Sequence, residues 1–410
     1  MISSRWMRTV LLVTFGVLIC VFGSSLKNTY QVFFTDMVTA FSVDRGDFAI
    51  SGSLFVLVIG VASPLVGYLA DRFGARVTLF MGVVLAGVVF LGMAIAGDYV
   101  AFAGLYGVGA ALAYTALSYV PLGVLSEEVG SPRWRGLIYA VMTNGAAIGF
   151  MVLSPLWVYL GTVADWRTVF AAIGVVFLLP LAALSLTALR LGAGVDRVDA
   201  AAEAPIPFGW KARWVLASPV FWTLAASFAG CGFTMALIDV HVMPYLEELS
   251  VSPAWRALAI ASLGATELFF GLLAGYLCDR RDRSLVLAGC YALRALAIPC
   301  LVIVPDKVGV LAFSCLFGAS YLGTVVATTA LVMETFDARV RGLALGGVWL
   351  FHQLGALACT QLGAELFDAL GSYRLIFLAA AGVSLAAALA SGSLRRRRPA
   401  ARPAPGVPGA

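Results

Sequence analysis

The stretch GVASPLVGYLADRFGAR, residues 60–76, ends a long apolar run with a glycine, an Asp-Arg pair and a second arginine. A shorter version of it, GLLAGYLCDRRDR, returns at residues 271–283. Two other matches recur at nearly the same offset: WRG (134–136) with VRG (340–342), and DWRTVF (165–170) with SYRLIF (372–377). Matches separated by 206 to 208 positions indicate that the chain consists of two duplicated halves.

The composition is that of an integral membrane protein. Of the 410 residues, 61% are hydrophobic and 12% are charged, and the mean hydropathy is +0.96. The apolar runs approach the roughly 20 residues that a helix needs to cross hydrocarbon, and they show no two-residue alternation. We therefore predict helices and not a barrel. The seven cysteines and two histidines have no ligand spacing, so we expect neither a metal nor a cofactor.

Charged and turn-forming residues divide the chain into twelve predicted spans. These are 9–36, 48–70, 76–97, 100–125, 136–160, 168–189, 217–245, 256–278, 285–304, 308–333, 342–366 and 373–392. We predict an N-terminal half of six helices at 1–190, a cytoplasmic linker at 191–215, and a C-terminal half of six helices at 216–393. Residues 394–410 are basic and rich in proline, and are expected to form a disordered tail.

The basic residues predict the orientation of these spans. If both termini are cytoplasmic, 20 of the 27 lysines and arginines lie on the cytoplasmic side and five on the outer side, namely Arg45, Arg167, Arg256, Lys307 and Arg374. This asymmetry follows the positive-inside rule. The two remaining basic residues, Lys27 and Arg294, lie inside predicted spans.

The loop segment 60–76 resembles the cytoplasmic signature of the major facilitator superfamily, and residues 271–283 are a weaker copy. The resemblance implies a major facilitator fold with a cavity between the halves, and secondary transport by alternating access. It also implies a cytoplasmic gate formed by Gly67, Asp71, Arg72, Asp279 and Arg280. The alternative is that these charges only set the topology.

A narrower resemblance is to the monocarboxylate transporters and their bacterial relatives. KNTYQVFF (27–34), TNGAAIG (143–149) and LFDALGSYRLIF (366–377) carry it. In that family a lysine at the position of Lys27 takes part in proton and carboxylate handling, and an acidic residue in span eight is followed four positions later by arginine. This chain has Glu267 and then Gly271, so the substrate arginine is missing.

Three charged residues lie near the membrane midplane. Lys27 is 19 positions from Arg8, and Glu267 and Arg294 are each 11 or 12 positions from the nearest charges that flank their spans. A lone charge at that depth costs about 2.5–3.5 kcal/mol, so each needs a partner or a hydrated cavity. Lys27 and Glu267 are interpreted as a proton-coupling pair, with a purely structural ion pair as the alternative. Arg294 is interpreted as a structural partner of Glu267 or as a displaced substrate arginine.

Polar side chains at helical spacing complete the predicted substrate site. Besides Lys27, the candidates are Tyr114, Ser118, Tyr119, Asn144, Tyr321, Thr324 and His352. Hydroxyls beside aromatic rings suit a small ligand with a polar end and a short apolar body. Hydrogen bonding between helices would produce the same pattern, and a hydrogen-bonded core histidine would account for His352.

The function that these residues predict is transport of a small organic anion, a monocarboxylate, coupled to protons. The chain shows no ATP-binding motif, which favours an ion gradient or exchange as the driving force. Alternatives are carboxylate exchange, proton-driven export of amphipathic compounds, and, from other classes, a membrane sensor or a membrane enzyme. We expect a monomer in the inner or plasma membrane, with small-molecule substrate, proton and lipid as partners and no nucleic acid.

Overall fold

The computed structural model of the chain describes residues 2–129, 131, 133–192 and 206–397. These residues form helices and no β-strand. Twelve helices, here spans one to twelve, are long and apolar enough to cross a membrane. They are Trp6–Val32, Arg45–Phe73, Ala75–Ala94, Tyr99–Val129, Arg135–Gly161, Trp166–Leu191, Pro219–Glu248, Pro253–Cys278, Arg283–Ile303, Lys307–Thr335, Arg341–Leu370 and Arg374–Ser393. The prediction of an all-α membrane protein with twelve spans is confirmed.

The chain divides into two compact units. The N-terminal unit comprises Met1–Ser131 and Val141–Ile206, and the C-terminal unit comprises Pro132–Ala140 and Pro207–Ala410. The beginning of span five, up to Ala140, thus belongs to the C-terminal unit although the rest of the span belongs to the N-terminal one. The predicted domain boundaries after residues 190, 215 and 393 stay predictions.

The predicted linker and tail are only partly within the described residues. A helix, Phe208–Leu216, lies in the second part of the predicted linker. Leu394–Arg397 form a single 3-10 turn at the start of the predicted tail. Residues 193–205 and 398–410, which belong to the predicted cytoplasmic linker and the predicted disordered tail, lie outside the described residues.

Each unit contains a close glycine contact between helices, and the two contacts are equivalent. In the N-terminal unit a Cβ atom on Gly149 of span five would collide with the backbone carbonyl of Val21 in span one. In the C-terminal unit a Cβ on Gly355 of span eleven would collide with the carbonyl of Ala229 in span seven. The positions differ by 206 and 208 residues, the same offset as the sequence repeat. Glycine allows the two backbones to approach this closely.

Each unit also contains one ion pair at the end of its copy of the loop motif. Arg76 Nη2 lies 3.2 Å from Glu128 Oε2 in the N-terminal unit. Arg283 Nη1 lies 3.1 Å from Glu334 Oε2 in the C-terminal unit. These pairs were not predicted, although both arginines stand at the last position of the repeated stretch.

Several spans are not continuous α-helices. Spans four, six and seven contain π-helical turns at Leu105–Ala110, Phe177–Leu181 and Leu237–His241. A π turn contains one residue more than an α turn and is frequent at functional sites. The α-helix is also interrupted at Ser24 in span one, at Ser118 in span four and at Asn144 in span five.

Candidate functional site

A narrow crevice of the N-terminal unit lies where spans one, four and five meet. Spans one and four supply most of its lining, and span five supplies one small residue. The lining residues are Cys20, Gly23, Ser24, Tyr114, Leu117, Ser118, Tyr119 and Ala146. Three predicted substrate residues, Tyr114, Ser118 and Tyr119, therefore lie together.

The interruptions of the three helices coincide with this crevice. Ser24 and Ser118 line it, and Asn144, which is buried, lies two positions before the lining residue Ala146. Ser118 departs most from helical geometry, with φ −112° and ψ −146°. Discontinuous helices are a common way for transporters to bring backbone and side-chain polar groups to a binding site. The sequence pattern predicted the polar side chains but not the interruptions.

Lys27 lies one turn after Ser24 in the short helix Ser25–Val32 of span one. Its neighbours Leu26 and Asn28 are buried, whereas Lys27 is exposed. Asn28 donates a hydrogen bond from Nδ2 to Ser24 Oγ at 3.2 Å, which ties the short helix to the crevice. Its backbone N–H donates to the Ser24 carbonyl at 3.0 Å, whereas its ammonium group has no hydrogen-bond or ion-pair partner among the described residues of its own unit.

A row of aromatic rings runs from span one towards the crevice. Tyr30 stacks on Tyr106 with ring centroids 4.3 Å apart, Tyr106 stacks on Phe55 at 4.8 Å, and Phe55 contacts Tyr114 at 5.7 Å. The Tyr30 hydroxyl donates to the backbone carbonyl of Phe48 at 3.0 Å. Tyr30 and Phe55 were not among the predicted site residues, because single aromatic residues in apolar spans carry no distinguishing signal.

Arg294 is the largest fully buried side chain of the C-terminal unit. Its Nε donates to Ser320 Oγ at 3.2 Å, and its Nη1 donates to Thr234 Oγ1 at 2.8 Å and to Cys231 Sγ at 3.4 Å. Its Nη2 donates to Thr324 Oγ1 at 3.2 Å and to the backbone carbonyls of Ser320 and Tyr321 at 3.1 Å and 3.3 Å.

Two rings also flank the Arg294 guanidinium. Its central carbon lies 4.8 Å from the ring centroid of Phe317 and 5.9 Å from that of Tyr291. The expected ion pair with Glu267 is not among the contacts of Arg294 in the described part of the chain. Depth along a span, from which the partner was inferred, does not determine which way a side chain points around the helix.

Three other predicted residues of this unit, Glu267, Tyr321 and Thr324, interact with Arg294 in different ways. Glu267 is half-buried, and its carboxylate interacts electrostatically with Asp239 and with Arg294. Thr324 is fully buried, and its hydroxyl donates to the Tyr321 carbonyl at 2.9 Å while it accepts from Arg294. Tyr321 itself is half-buried.

His352 is buried, and its ring packs against those of Phe228 and Trp349, with centroids 4.7 Å and 4.8 Å away. Its Nε2 lies 3.2 Å from Met235 Sδ, and its Nδ1 lies 3.0 Å from Gln353 Oε1. Two aromatic rings and two polar contacts, all from the C-terminal unit, thus fix the position of the His352 ring.

The predicted gate residues Gly67, Asp71 and Arg72 lie in the last two turns of span two, and Asp279 and Arg280 lie between spans eight and nine. In the N-terminal unit Gly67 is buried, Asp71 is half-buried, and the exposed Arg72 donates to the Tyr68 hydroxyl at 3.3 Å. In the C-terminal unit Arg280 lies over the rings of Tyr276, at 4.1 Å, and Trp134, at 4.9 Å.

Asp279 holds the beginning of span five. Its carboxylate accepts hydrogen bonds from the backbone N–H groups of Gly136, at 2.8 Å, and Leu137, at 2.9 Å. These are unsatisfied donors of the first helical turn, where the helix dipole also favours a negative charge. Burial raises the pKa of Asp279 above the ordinary value, and the two backbone hydrogen bonds oppose this rise.

Comparison with known proteins identifies the family. The model of the Major Facilitator Superfamily matches residues 13–266 and 240–409. The chain belongs to this superfamily. The predicted membership and the twelve-helix major facilitator fold are confirmed. The two curated relatives described below carry transporter names.

Three similar proteins illustrate the range of the superfamily. The uncharacterized MFS-type transporter YcxA of Bacillus subtilis (strain 168) is 30% identical over 385 residues, which cover 91% of each chain. Monocarboxylate transporter 12 of Rattus norvegicus is 24% identical over 400 residues, covering 89% of this chain and 80% of the rat protein. The structure of the proton:xylose symporter XylE superposes with a TM-score of 0.70 at 16% identity, covering 97% of this chain and 96% of XylE. The similarity to XylE shows the fold alone.

Proposed function

We propose that this major facilitator protein transports a small monocarboxylate together with protons by alternating access. The observation that carries the proposal is the exposed ammonium group of Lys27 inside the apolar span Trp6–Val32, five positions before the span ends. A cation at that depth is costly unless water or an anion accompanies it. The similarity to monocarboxylate transporter 12 over most of the chain supports a carboxylate as that anion.

The proposed substrate site combines the Lys27 ammonium with the polar crevice beside it. The ammonium binds the carboxylate by a charge-assisted hydrogen bond. The hydroxyls of Tyr114, Ser118 and Tyr119 and the amide of Asn144 accommodate the rest of the ligand. Tyr321, Thr324 and His352 were predicted as substrate residues of the C-terminal half. Of these, Tyr321 and His352 are retained, whereas Thr324, whose hydroxyl donates to the Tyr321 carbonyl and accepts from Arg294, is proposed to have a structural role.

Glu267 is the proposed proton carrier. It is half-buried near a second carboxylate, that of Asp239, which disfavours a second negative charge. A proton on Glu267 leaves Lys27 free to bind the substrate anion, and the loaded site then carries no additional net charge. The Lys27–Glu267 ion pair of the empty site stays a prediction.

Transport into proteoliposomes tests the proposal. The purified chain is reconstituted, and uptake of labelled lactate and pyruvate is followed with and without an inward proton gradient. We expect the gradient to stimulate uptake, Lys27→Gln to abolish it, and Glu267→Gln to remove the response to the gradient. Lys307→Gln is the matched control, because Lys307 is an exposed lysine at the first position of span ten. Unchanged uptake by Lys27→Gln would disprove the role of the lysine.

Export of amphipathic compounds is a second candidate function. The row of Tyr30, Tyr106, Phe55 and Tyr114 favours it, because stacked rings bind flat apolar ligands. The same proteoliposomes, loaded with an amphipathic dye, distinguish the two functions. Dye efflux driven by a proton gradient, without carboxylate uptake, would establish export.

The topology follows from the same proposal. We place both termini on the cytoplasmic side of a plasma or inner membrane, with Gly67, Asp71, Arg72, Asp279 and Arg280 at the cytoplasmic gate. The distribution of basic residues supports this orientation. We propose a monomer as the transporting unit, since each chain contains both halves. Accessibility of a cysteine introduced at Arg281 to an impermeant reagent tests the orientation, and labelling from outside intact cells would contradict it.

A further inference from the structure

The short helix Phe208–Leu216, which precedes span seven, has its polar and apolar faces reversed. Its inward face carries Lys211 and Val215, which are 5% and 3% exposed. Its outward face carries Phe208 and Leu216, which are 45% and 48% exposed. In a helix surrounded by water the lysine would point outwards and the large apolar side chains inwards. The pattern therefore indicates that the surroundings of the outward face are apolar.

The outward face has one charged residue at its edge. Consecutive helical residues are about 100° apart, so Phe208, Ala212 and Leu216 lie within about 80° of arc. Arg213, which is exposed, lies about 60° beyond Leu216 on the same side. An arginine at the edge of an apolar face can lay its aliphatic stem along hydrocarbon and keep its guanidinium at the polar headgroups.

Trp222 joins this outward face to the exposed side of span seven. Span seven begins at Pro219, and Trp222 lies in its first turn with 48% of its surface exposed. Its Nε1 donates to the backbone carbonyl of Leu216 at 2.8 Å, so the indole lies against the end of the short helix. Tryptophan concentrates where hydrocarbon meets the headgroups. The short helix thus ends at the depth expected for a membrane surface.

Two arginines beside this helix differ in their partners. Arg339 lies over the Trp214 ring at 5.5 Å, and its Nε donates to Asp337 Oδ1 at 2.9 Å. The Arg213 side chain has no hydrogen-bond or ion-pair partner among the residues that the structure describes. Its charge is therefore uncompensated within the protein and complements a negatively charged group outside it.

We propose that the helix Phe208–Leu216 lies on the membrane surface and binds an anionic phospholipid. Phe208 and Leu216 contact the acyl chains, and the Arg213 guanidinium binds the headgroup phosphate by charge-assisted hydrogen bonds. Such a helix gains affinity from its buried apolar area and from the attraction between basic residues and anionic headgroups. This inference is independent of the proposed carboxylate transport.

Spin labelling of the full chain tests where the helix lies. Leu216 is replaced by p-acetylphenylalanine and coupled to a nitroxide, and the chain is placed in nanodiscs of phosphatidylcholine and phosphatidylglycerol. We expect oxygen to relax the label and a water-soluble nickel chelate to leave it unaffected, as in lipid. A label at Arg281 is the control, because this exposed residue lies between spans eight and nine and should respond to nickel. Nickel access at position 216, or access for neither reagent, would overturn the proposal, since water or protein would then cover the face.

Selection between lipids tests the role of Arg213. A fluorophore at position 216 is quenched by phosphatidylglycerol or phosphatidylcholine with brominated acyl chains, and the relative affinity of the two lipids for this place is measured. We expect a preference for phosphatidylglycerol that Arg213→Gln lowers about five-fold, the effect of one basic residue near a membrane surface. Arg213→Lys is the matched control, which keeps the charge and should keep the preference. Equal quenching by both lipids, an unchanged preference in Arg213→Gln, or an equal loss in Arg213→Lys would overturn the proposal.

Discussion

Lys27 and Arg294 are the two basic residues that lie more than four positions from either end of a span, and the two units treat them in opposite ways. Lys27 is exposed, and its ammonium group has no ion-pair or hydrogen-bond partner among the described residues of its unit. Arg294 is fully buried and donates to three hydroxyls, a thiol and two carbonyls. The Lys27 ammonium is available to a ligand. The Arg294 guanidinium, in contrast, is hydrogen-bonded within its unit and holds spans seven, nine and ten together.

The helix contacts of the two units, by contrast, are alike. The Gly149 contact with Val21 and the Gly355 contact with Ala229 repeat at the offset of the sequence duplication, as do the Arg76–Glu128 and Arg283–Glu334 ion pairs. Duplication has therefore preserved the places where helices join, while the charged centres of the two units have diverged. The following substitutions test that difference.

Replacing Arg294 should give the largest effect. Arg294→Met removes the charge and leaves buried acceptors without their donor, and we expect a loss of roughly 3 kcal/mol in the free energy of unfolding. Lys27→Gln should change that free energy by less than about 0.5 kcal/mol. Denaturant titration of the purified variants measures both. Equal losses of unfolding free energy would mean that Lys27 stabilises the fold as much as Arg294 does.

Filling the repeated glycine contacts should give the next largest effect. Gly149→Ala and Gly355→Ala each place a methyl group against a backbone carbonyl that belongs to another helix, and each should cost about 1–3 kcal/mol of unfolding free energy. Gly264→Ala is the control, because nothing lies within 4 Å of a Cβ at that position. Thermal unfolding of the three variants provides the comparison. A tolerated Gly149→Ala beside a damaging Gly355→Ala would show that the two contacts are not equivalent.

Breaking the two ion pairs should give the smallest losses of unfolding free energy, and the two losses should differ in size. Arg76 is 6% exposed, whereas Arg283 is 23% exposed and therefore more screened by water. We expect Glu128→Gln to cost about 1–2 kcal/mol of unfolding free energy and Glu334→Gln about 0.5 kcal/mol. Unfolding at low and high salt distinguishes the two pairs, because only the contribution of the more exposed Arg283–Glu334 pair should fall strongly as salt is added. A larger loss for Glu334→Gln would reverse the expected order.

The spans and the duplication could be predicted because they depend on composition and on local repeats. Each span needs only about 20 apolar residues. Because lipid offers no hydrogen-bond partner to the backbone, a single span of this kind must be a helix. The clustering of Tyr114 with Ser118 follows from their spacing of one helical turn. These features are local in the chain, so a single sequence contains them.

The partners of Arg294 could not be predicted, because they are ordinary serine, threonine and cysteine residues 26 to 63 positions away. Such residues occur throughout the spans, and nothing in the sequence marks those that face an arginine. The helix interruption at Ser118 was missed although the sequence contains a local cause for it. Pro121, three positions later, has no N–H to donate to the Leu117 carbonyl, and its ring crowds that carbonyl. The partners of Arg294, by contrast, are set only when distant helices meet.

The π-helical turns have a consequence for how this chain can change over evolutionary time. Each of the turns at Leu105–Ala110, Phe177–Leu181 and Leu237–His241 accommodates one additional residue without breaking the span. Because consecutive α-helical residues are about 100° apart, such an insertion rotates everything beyond it by that angle. A single codon gained or lost there would present a different set of side chains to the neighbouring helices in one step, without passing through intermediate substitutions.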